Sequence, residues 1–301
     1  MSSSLRLALV PVAAAALALA GCAPADEDTD TTATEETTAA ESPGEETEAA
    51  GGCTPDALST LQPGTLTIAT SEPAYEPWMV DNDPSNGQGF ESAVAYAVAE
   101  QLGYAEDEVT WTRVPFDAAI QPGPKQFDFD INQFSITEER REAVDFSSPY
   151  YDVRQAVVAV EGNPAASATS IAELQEVRFG AQVGTTSLAA VEESVQPTTD
   201  PQVFNTNDDA KLALDNGQID ALVVDLPTAF FLTAAEIEGG VIVGQLPEVG
   251  GEVEQFGLVL DRDSPLTECL SGAVDALRDD GTLDDLEQEW LADVAGAPEL
   301  S

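Results

Sequence analysis

The stretch FDFDINQFSITEERREAVDFS, residues 127–147, runs from a predicted strand into a predicted short helix with two adjacent arginines. Its first half alternates apolar with acidic residues as far as Ile131, which is the two-residue period of a β-strand. Arg140 and Arg141 then follow among glutamates, in a chain with 10 Lys+Arg against 56 Asp+Glu. Basic residues are so scarce that this pair requires an explanation.

Arg140 has two possible roles. On a helix that starts near Thr137 it lies in the first turn, where a cation opposes the helix dipole at a cost of about 0.3 kcal/mol or more. A surface ion pair with Glu138 or Glu139 would offset this by about 0–1 kcal/mol. A bound carboxylate would contribute more, because hydrogen bonds to charged groups are worth about 1.5–3 kcal/mol each.

The same alternation of strand and helix patterns continues along the chain on both sides of this stretch. Strands are predicted at 65–70, 108–114, 155–160, 178–183, 219–225, 240–246 and 255–260. Helices are predicted at 89–103, 185–195, 207–217, 264–281 and 282–291. The pattern predicts an α/β protein with open sheets, in which ligands bind at the carboxyl ends of strands.

The N-terminus, MSSSLRLALVPVAAAALALAGC, has the anatomy of an export signal: a short basic region, an apolar run and small residues. The apolar run is too short for a transmembrane helix. Leu19-Ala20-Gly21-Cys22 resembles the bacterial lipobox, which predicts a lipoprotein signal peptide at 1–21 and a lipidated Cys22. An ordinary secretory signal with an incidental cysteine is the alternative.

Residues 22–52 follow as an acidic segment rich in Thr, Ala, Pro and Gly, without basic or large apolar residues. Such a segment cannot bury enough surface to offset its ordering entropy, so we expect a disordered tether. Across the whole chain the formal charge of −46 argues against nucleic acid as a partner. The absence of histidine excludes His-based catalytic triads and His metal ligands. No metal or cofactor is expected.

Two further cysteines, Cys53 and Cys269, lie near opposite ends of the predicted folded part. In an exported protein a lone pair of cysteines is read first as a disulfide. Two buried free thiols are the alternative.

Several motifs together resemble those of the extracellular solute-binding proteins of family 3, which serve ABC importers of polar amino acids. The resemblance covers about residues 64–291. The motifs are TSEPAYEPW (70–78), GFESAVAYAVAEQLG (89–103), PFDAAI (115–120), FDFDINQFSITEERREAVDFSSPYY (127–151), VGTTS (183–187), GQIDALVVDLPTA (217–229), FGLVL (256–260) and LRDDGTLDDLEQEWL (277–291).

The resemblance implies a two-lobed fold of the periplasmic-binding-protein-like type II class, with a ligand cleft between the lobes. Lobe 1 would comprise 53–152 and 256–301, and lobe 2 would comprise 156–250. The hinge would lie near 152–155 and 250–255. The lobes of this fold close over the solute by hinge motion.

Residue by residue, the resemblance also implies a site for a free amino acid. Arg140 matches the arginine that binds the α-carboxylate, whereas Arg141 matches a surface position. Ser135 would contribute its hydroxyl and backbone N–H. Thr185 and Thr186 would offer the N–H groups of a helix start, although Thr186 could equally be a plain helix cap.

The α-ammonium group would bind Asp225, which also has the alternative role of a helix cap before Pro227. Backbone carbonyls near Gln133 would share the ammonium. The sequence departs from the family pattern at Gln133-Phe134, which we expect to narrow the pocket. A second departure, Gln121-Pro122-Gly123-Pro124, ends the helix after PFDAAI, because proline cannot stay inside a helix.

The ligand side chain would contact a group of aromatic and acidic residues of lobe 1. Tyr75, Trp78 and Phe116 are the expected aromatic walls, and Trp78 or Phe116 could equally belong to the core. Glu72 could meet a cationic side chain, which weakly favours a basic or polar amino acid.

These implications predict a monomeric substrate-binding lipoprotein that captures an amino acid and delivers it to an ABC permease. It would be anchored through Cys22 to the outer face of the bacterial cytoplasmic membrane. An exported enzyme on the same fold, similar to a dehydratase, is the main alternative. The sensory lobe of a receptor and a surface adhesin are further alternatives.

Overall fold

The computed structural model describes residues 52–291 and 297–301. The predicted signal peptide at 1–21, the lipidation site Cys22 and the predicted tether up to residue 51 lie outside the described residues. Within the described part, the helices are all too short or too polar to cross a bilayer.

The described residues form strands and helices in the predicted alternation. The strands are β1 (Leu66–Thr70), β2 (Val109–Arg113), β3 (Phe129–Asp130), β4 (Asp145–Phe146), β5 (Tyr151–Val153), β6 (Gln155–Val160), β7 (Phe179–Gln182), β8 (Gln202–Phe204), β9 (Ala221–Asp225), β10 (Gly240–Gln245), β11 (Glu254–Phe256) and β12 (Val259–Leu260). The helices are α1 (Phe90–Gln101), α2 (Phe116–Ala119), α3 (Glu138–Arg141), α4 (Ile171–Leu174), α5 (Thr186–Ala190), α6 (Asn207–Asp215), α7 (Leu226–Phe231), α8 (Thr267–Asp279) and α9 (Thr282–Leu291). Wider π-helical turns, Val191–Val195 and Leu232–Glu236, extend α5 and α7.

The first lobe is built on a five-stranded sheet in the order β2-β1-β3-β12-β4. The interior strand β1 pairs in parallel with β2 and β3, and all five of its residues are buried. Such continuous burial is typical of a strand covered on both faces. Apolar residues of α1, α8 and α9 pack on one face, and α2 with the segment around Phe134 packs on the other.

The second lobe is built on a separate five-stranded sheet in the order β10-β6-β9-β7-β8. Its interior strand β6, QAVVAV, alternates its side chains between two apolar clusters, one on each face of the sheet. The two sheets, each covered by helices, confirm the predicted two-lobed α/β fold.

The chain passes between the lobes along two short strands that pair with each other. β5 leads directly into β6, and β11 returns the chain to the first lobe. Their antiparallel pairing sets Glu254 opposite Val153 and Phe256 opposite Tyr151. The predicted single strand 255–260 is thus divided into β11 and β12, because the chain leaves this two-stranded ribbon and joins the first sheet.

The C-terminal segment 297–301 differs from the prediction that 256–301 belongs entirely to lobe 1. The backbone N–H of Gln245 donates to Pro298 O at 2.7 Å, and that of Leu300 donates to Gln245 O at 2.9 Å. Leu300 is buried in the apolar cluster of the second lobe. The physical reason is the open edge of β10, whose backbone groups need partners.

The predicted disulfide between Cys53 and Cys269 is confirmed. The two Cα atoms lie 5.5 Å apart, and the bond joins residues 216 positions apart in the chain. It attaches the first described residues to α8, so the N-terminal and C-terminal chain segments of the first lobe are linked covalently. The alternative of two free thiols is therefore wrong.

Replacing both cysteines, Cys53→Ser with Cys269→Ser, should lower the free energy of unfolding by about 2–4 kcal/mol, because the bond restricts the unfolded chain. Denaturant unfolding of the domain from residue 52 onward measures this. Reduction of the unmodified protein is the matched control and should give a similar loss. An unchanged unfolding midpoint in both experiments would contradict a stabilising role.

Candidate functional site

A cavity lies between the lobes at the carboxyl ends of their strands, where open α/β sheets bind ligands. Its volume is about 30 Å³. The lobes meet around it: Trp78 Nε1 donates to Thr228 Oγ1 at 2.8 Å across the cleft. The lining residues are Ser71, Tyr75, Phe116, Asn132, Gln133, Gln182, Thr185, Thr186, Ser187, Asn207, Val224 and Asp225.

Arg140 is buried beside this cavity, with 8% of its surface exposed, and neither Arg140 nor Ser135 belongs to the cavity lining. Its guanidinium donates to Ser135 O at 2.7 Å and, across the cleft, to Gly184 O at 2.9 Å. Burial lowers the pKa of Arg140 to about 10, although the negative charges of Glu254 and Asp225 oppose the shift. The group is therefore a desolvated cation, held by backbone carbonyls from both lobes.

Arg141 lies in a different environment. Its side chain is about half exposed, at 47%, and its Nε lies 3.8 Å from Glu138 Oε1. Such surface pairs contribute about 0–1 kcal/mol. The two adjacent arginines thus point to different surroundings: one faces the cleft and the other faces solvent.

Phe116 forms one wall of the cavity below Arg140. The guanidinium carbon lies 5.6 Å from the Phe116 ring centre. Phe134 stacks behind this ring, with 4.7 Å between the centroids and 16° between the planes. Phe134 is buried in the core and is absent from the cavity lining. Of the pair Gln133-Phe134 that was expected to narrow the pocket, Gln133 lines the cavity, whereas Phe134 supports Phe116 from behind.

Asp225 ends β9 and faces the cavity from the second lobe. Its Oδ1 accepts a hydrogen bond of 2.8 Å from Gln155 Nε2. Its pKa lies well above the usual range, chiefly because of burial and then because of the nearby charge of Glu254. A cation placed between these groups would relieve both effects.

Glu254, at the start of β11, is a site residue that the sequence did not reveal. Its Oε1 accepts hydrogen bonds of 2.5 Å from both Ser135 Oγ and Thr186 Oγ1, which belong to different lobes. Its Oε2 accepts one of 3.1 Å from Gln155 Nε2. The only available signal was its place in the predicted hinge, because the chain contains many other glutamates.

Thr185 and Thr186 have separate roles. Thr185 is the N-cap of α5: its hydroxyl accepts from the Leu188 N–H at 3.2 Å and donates to Gln182 O at 2.8 Å. The hydroxyl of Thr186 is not used for capping and reaches Glu254 instead. The alternative interpretation of Thr186 as a plain helix cap is therefore wrong.

Gln133 reaches the cavity in a left-handed backbone conformation, with φ 53°. Its N–H donates to Glu91 Oε1 at 2.6 Å, and its side-chain Oε1 accepts from Thr228 Oγ1 at 3.3 Å. The fully buried Glu91 also accepts from the hydroxyl of Tyr150. Glu91 thus fixes the turn that presents Gln133 to the cleft.

Three predicted pocket residues have different outcomes. Tyr75 lines the cavity, and burial together with the charge of Asp208 raises the pKa of Tyr75 to about 12. Trp78 is completely buried among Phe90, Tyr151 and Phe256 and does not line the cavity. Glu72 is exposed and also lies outside the lining. Trp78 is therefore a core residue that contacts the second lobe, and the prediction of Glu72 as a pocket acid is not supported by its position.

The arrangement suits a small solute with charges of both signs. A carboxylate of the second lobe, Asp225, lines the cavity, and a buried arginine of the first lobe, Arg140, lies beside it, with hydroxyl and amide groups nearby. No cluster of three or more acidic or cysteine side chains in residues 52–291 and 297–301 could hold a metal ion. Fold and site together define a two-lobed binding protein for a small polar solute.

The comparisons with known proteins identify the class more closely. The model of the bacterial extracellular solute-binding proteins, family 3, matches residues 66–293, and the chain belongs to this family. A probable histidine-binding protein of Campylobacter jejuni is 29% identical over 75% of this chain and 84% of its own length. An L-arginine-binding protein of Pseudomonas aeruginosa is 28% identical over 75% of this chain and 88% of its own.

Among solved structures, an ancestral arginine-binding protein bound to arginine is similar to this chain. The TM-score is 0.62 and the identity is 31%, over 75% of this chain and 98% of the other. A further neighbour is an ancestral amino acid-binding protein that is a precursor of cyclohexadienyl dehydratase. Its TM-score is 0.61 and its identity 29%, over 75% of this chain and 95% of the other.

The buried Glu91 should make stability depend on pH. Burial raises its pKa from 4.5 to about 7, so the folded protein binds more protons than the unfolded chain between these values. The free energy of unfolding therefore falls as the pH rises from about 4.5 through 7. Glu91 contributes up to about 3 kcal/mol of this decrease.

Glu91→Gln tests this, because glutamine keeps an acceptor for Tyr150 and Gln133. We expect the variant to gain stability relative to the unmodified protein as the pH rises from 5 to 7.5. Denaturant unfolding at several pH values provides the measurement. Parallel stability curves for the two proteins would contradict the raised pKa.

Proposed function

We propose that this protein is a substrate-binding protein that captures a free amino acid in the interlobe cavity and delivers it to an ABC importer. The observation that carries the proposal is the pair formed by Arg140 and Asp225. Asp225 lines the interlobe cavity from the second lobe, and Arg140 lies beside it in the first lobe, where its guanidinium reaches Gly184 O across the cleft. Buried charges are stable only when paired and hydrogen-bonded, so the site favours a zwitterion that meets both.

Arg140 would receive the α-carboxylate. A guanidinium has five N–H donors, and two of those of Arg140 already bind Ser135 O and Gly184 O. The remaining donors, with the backbone N–H groups of Ser135 and Thr186, are available for a carboxylate. The desolvated setting strengthens such charge-assisted hydrogen bonds.

Asp225 would receive the α-ammonium, helped by the backbone carbonyl of Gln133. The ammonium would stabilise the ionised form of Asp225, whose pKa burial and Glu254 now raise. Complementary charges on the ligand would therefore offset the desolvation of the site.

Capture requires the lobes to separate. A cavity of about 30 Å³ holds about two waters and is too small for an amino acid. The solute would enter an open cleft, and the lobes would reclose by bending near 152–155 and 250–255, around the β5–β11 ribbon. This hinge motion is a common transition of two-domain binding proteins.

The side-chain preference should be basic or polar. Tyr75, Phe116 and Asn132 line the cavity beyond the charged pair, and aromatic walls suit cationic guests. Near the cavity, Asp225 and Glu254 outnumber the single cation Arg140. The similarity to histidine-binding and arginine-binding proteins supports the same class of ligand.

In the cell, the protein would be a monomeric lipoprotein on the outer face of the cytoplasmic membrane. The support is the resemblance of residues 19–22 to a lipobox, with Cys22 as the lipidated residue, and the acidic segment 22–52 that would act as a tether. The permease of an ABC importer is the expected partner. One similar protein of Escherichia coli is named an ABC transporter arginine-binding protein.

An exported enzyme similar to a dehydratase is the second candidate. It is favoured by the likeness to a dehydratase precursor and by the raised pKa of Asp225, which would suit a general acid. Turnover separates the two functions, because a binding protein releases its ligand unchanged. Mass spectrometry of the ligand recovered after incubation would detect conversion.

Arg140→Ala should weaken binding of every zwitterionic ligand by more than about 100-fold, since at least two charge-assisted hydrogen bonds are lost. Arg141→Ala is the matched control, with the same substitution one position away, and should bind normally. The experiment is a thermal-shift screen against free amino acids, followed by calorimetric titration of each hit.

The outcomes separate the models of the site. Similar losses in both arginine variants would contradict the assignment of Arg140. No thermal shift with any amino acid in the unmodified protein would contradict amino acid binding itself, because ligand in 100-fold excess over Kd stabilises by about 2.7 kcal/mol.

A further inference from the structure

Glu254 occupies a position between the lobes that the proposed binding of an amino acid does not explain. Its Oε1 lies 2.5 Å from the hydroxyls of both Ser135 and Thr186, and these hydroxyls lie 3.1 Å from each other. Three polar side chains from lobe 1, lobe 2 and the connecting ribbon thus converge beside the cavity. Glu254 itself is not part of the cavity lining.

Hydrogen-bond donors are limited in this cluster. A hydroxyl has one proton to donate and two lone pairs, whereas a carboxylate can only accept. Ser135 and Thr186 therefore both give their single protons to Glu254. Each hydroxyl then has only lone pairs to offer to any other group, and of these two residues Thr186 lines the cavity.

Gln155 fixes the remaining oxygen of Glu254. Its Nε2 donates to Glu254 Oε2 at 3.1 Å and to Asp225 Oδ1 at 2.8 Å. Its Oε1 accepts from Ser187 Oγ at 2.6 Å, which sets the orientation of the amide. The two carboxylates are consequently held side by side by one NH₂ group.

We infer that Glu254 is a positioning residue that turns the hydroxyls of Ser135 and Thr186 into acceptors for the ammonium group of the ligand. This inference rests on the proposed function. It reverses the expected role of the two hydroxyls, because they cannot donate to a carboxylate while their protons bind Glu254. The carboxylate is then bound by Arg140 and backbone N–H groups alone, and the hydroxyls join Asp225 as the acceptors for the ammonium.

Glu254→Gln changes the hydrogen bonds while preserving the shape. A glutamine amide has one oxygen in place of two, so it cannot accept from both hydroxyls and from Gln155 Nε2 together. If its oxygen faces Gln155, its NH₂ group faces the hydroxyls. The protons of the Ser135 and Thr186 hydroxyls then point away from residue 254 and toward the ligand, where they repel an ammonium group.

The test is calorimetric titration with L-arginine, L-lysine, L-histidine and L-glutamine as probes. For every probe that the unmodified protein binds, Glu254→Gln should raise Kd at least 10-fold. Glu252→Gln removes the same charge from an exposed position two residues away and should leave Kd unchanged. Glu254→Ala is the second variant at this position, in case the glutamine variant does not fold.

A double-mutant cycle with Ser135→Ala separates this role from a purely structural one. Because Glu254 acts through the hydroxyl, the double variant should bind no more weakly than the weaker single variant. Additive losses would overturn the inference. Unchanged or tighter binding by the position 254 variants would also overturn it, because Glu254 would then be neutral or compete with the ligand. If the unmodified protein binds neither these four probes nor any other free amino acid in the thermal-shift screen, the proposed function fails first and this inference fails with it.

Discussion

The antiparallel pairing of β5 with β11 is the constraint on which the site depends. The register sets Glu254 opposite Val153, and Gln155 follows two residues later at the start of β6. This places the Glu254 carboxylate within reach of Gln155 and between Ser135 and Thr186. Side chains alternate along a strand, so a shift of the β5–β11 register by one residue would turn the Glu254 side chain to the other face of the ribbon. Glu254 would then lose its hydrogen bonds with Ser135, Thr186 and Gln155. The ribbon that joins the lobes therefore also builds part of the cleft.

The electrostatics of the cleft explain why a scarce arginine lies where it does. Glu91, Asp225 and Glu254 converge on one region, and burial raises the pKa of the first two. Arg140 is a buried cation close to these acids, and the charges of Glu254 and Asp225 favour its protonated form. Hydrogen bonds from neutral groups, chiefly Gln155 and Tyr150, satisfy the remaining oxygens. Unpaired buried charge is costly, so each acid here is matched with a donor.

The two ends of the described chain are attached to different lobes. Cys53 is fixed to α8 by a disulfide, whereas 297–301 extends the sheet of the second lobe at the edge of β10. Arg154, between β5 and β6, makes ion pairs with Glu248 at 3.4 Å and with the terminal segment through Glu299 at 3.2 Å. The β5–β11 ribbon thus connects the two lobes, and the C-terminal segment 297–301 adds a second link to the second lobe. Arg154, near the hinge, joins the two connections through its ion pairs with Glu248 and Glu299.

The sequence by itself determined the alternation of strands and helices, the disulfide, and Arg140 as the cleft residue of the arginine pair. The alternation and the arginine assignment depend on local periodicity and on motifs within short segments, whereas the disulfide follows from a lone pair of cysteines in the predicted folded part of an exported chain. Only the tertiary structure decided the role of Glu254, the burial of Trp78, the position of Phe134 behind Phe116, and the return of 297–301 to the second lobe. The reason is physical: each depends on contacts between segments far apart in the chain. In so acidic a chain, no local pattern distinguishes the one glutamate that meets Ser135 and Thr186 across the cleft.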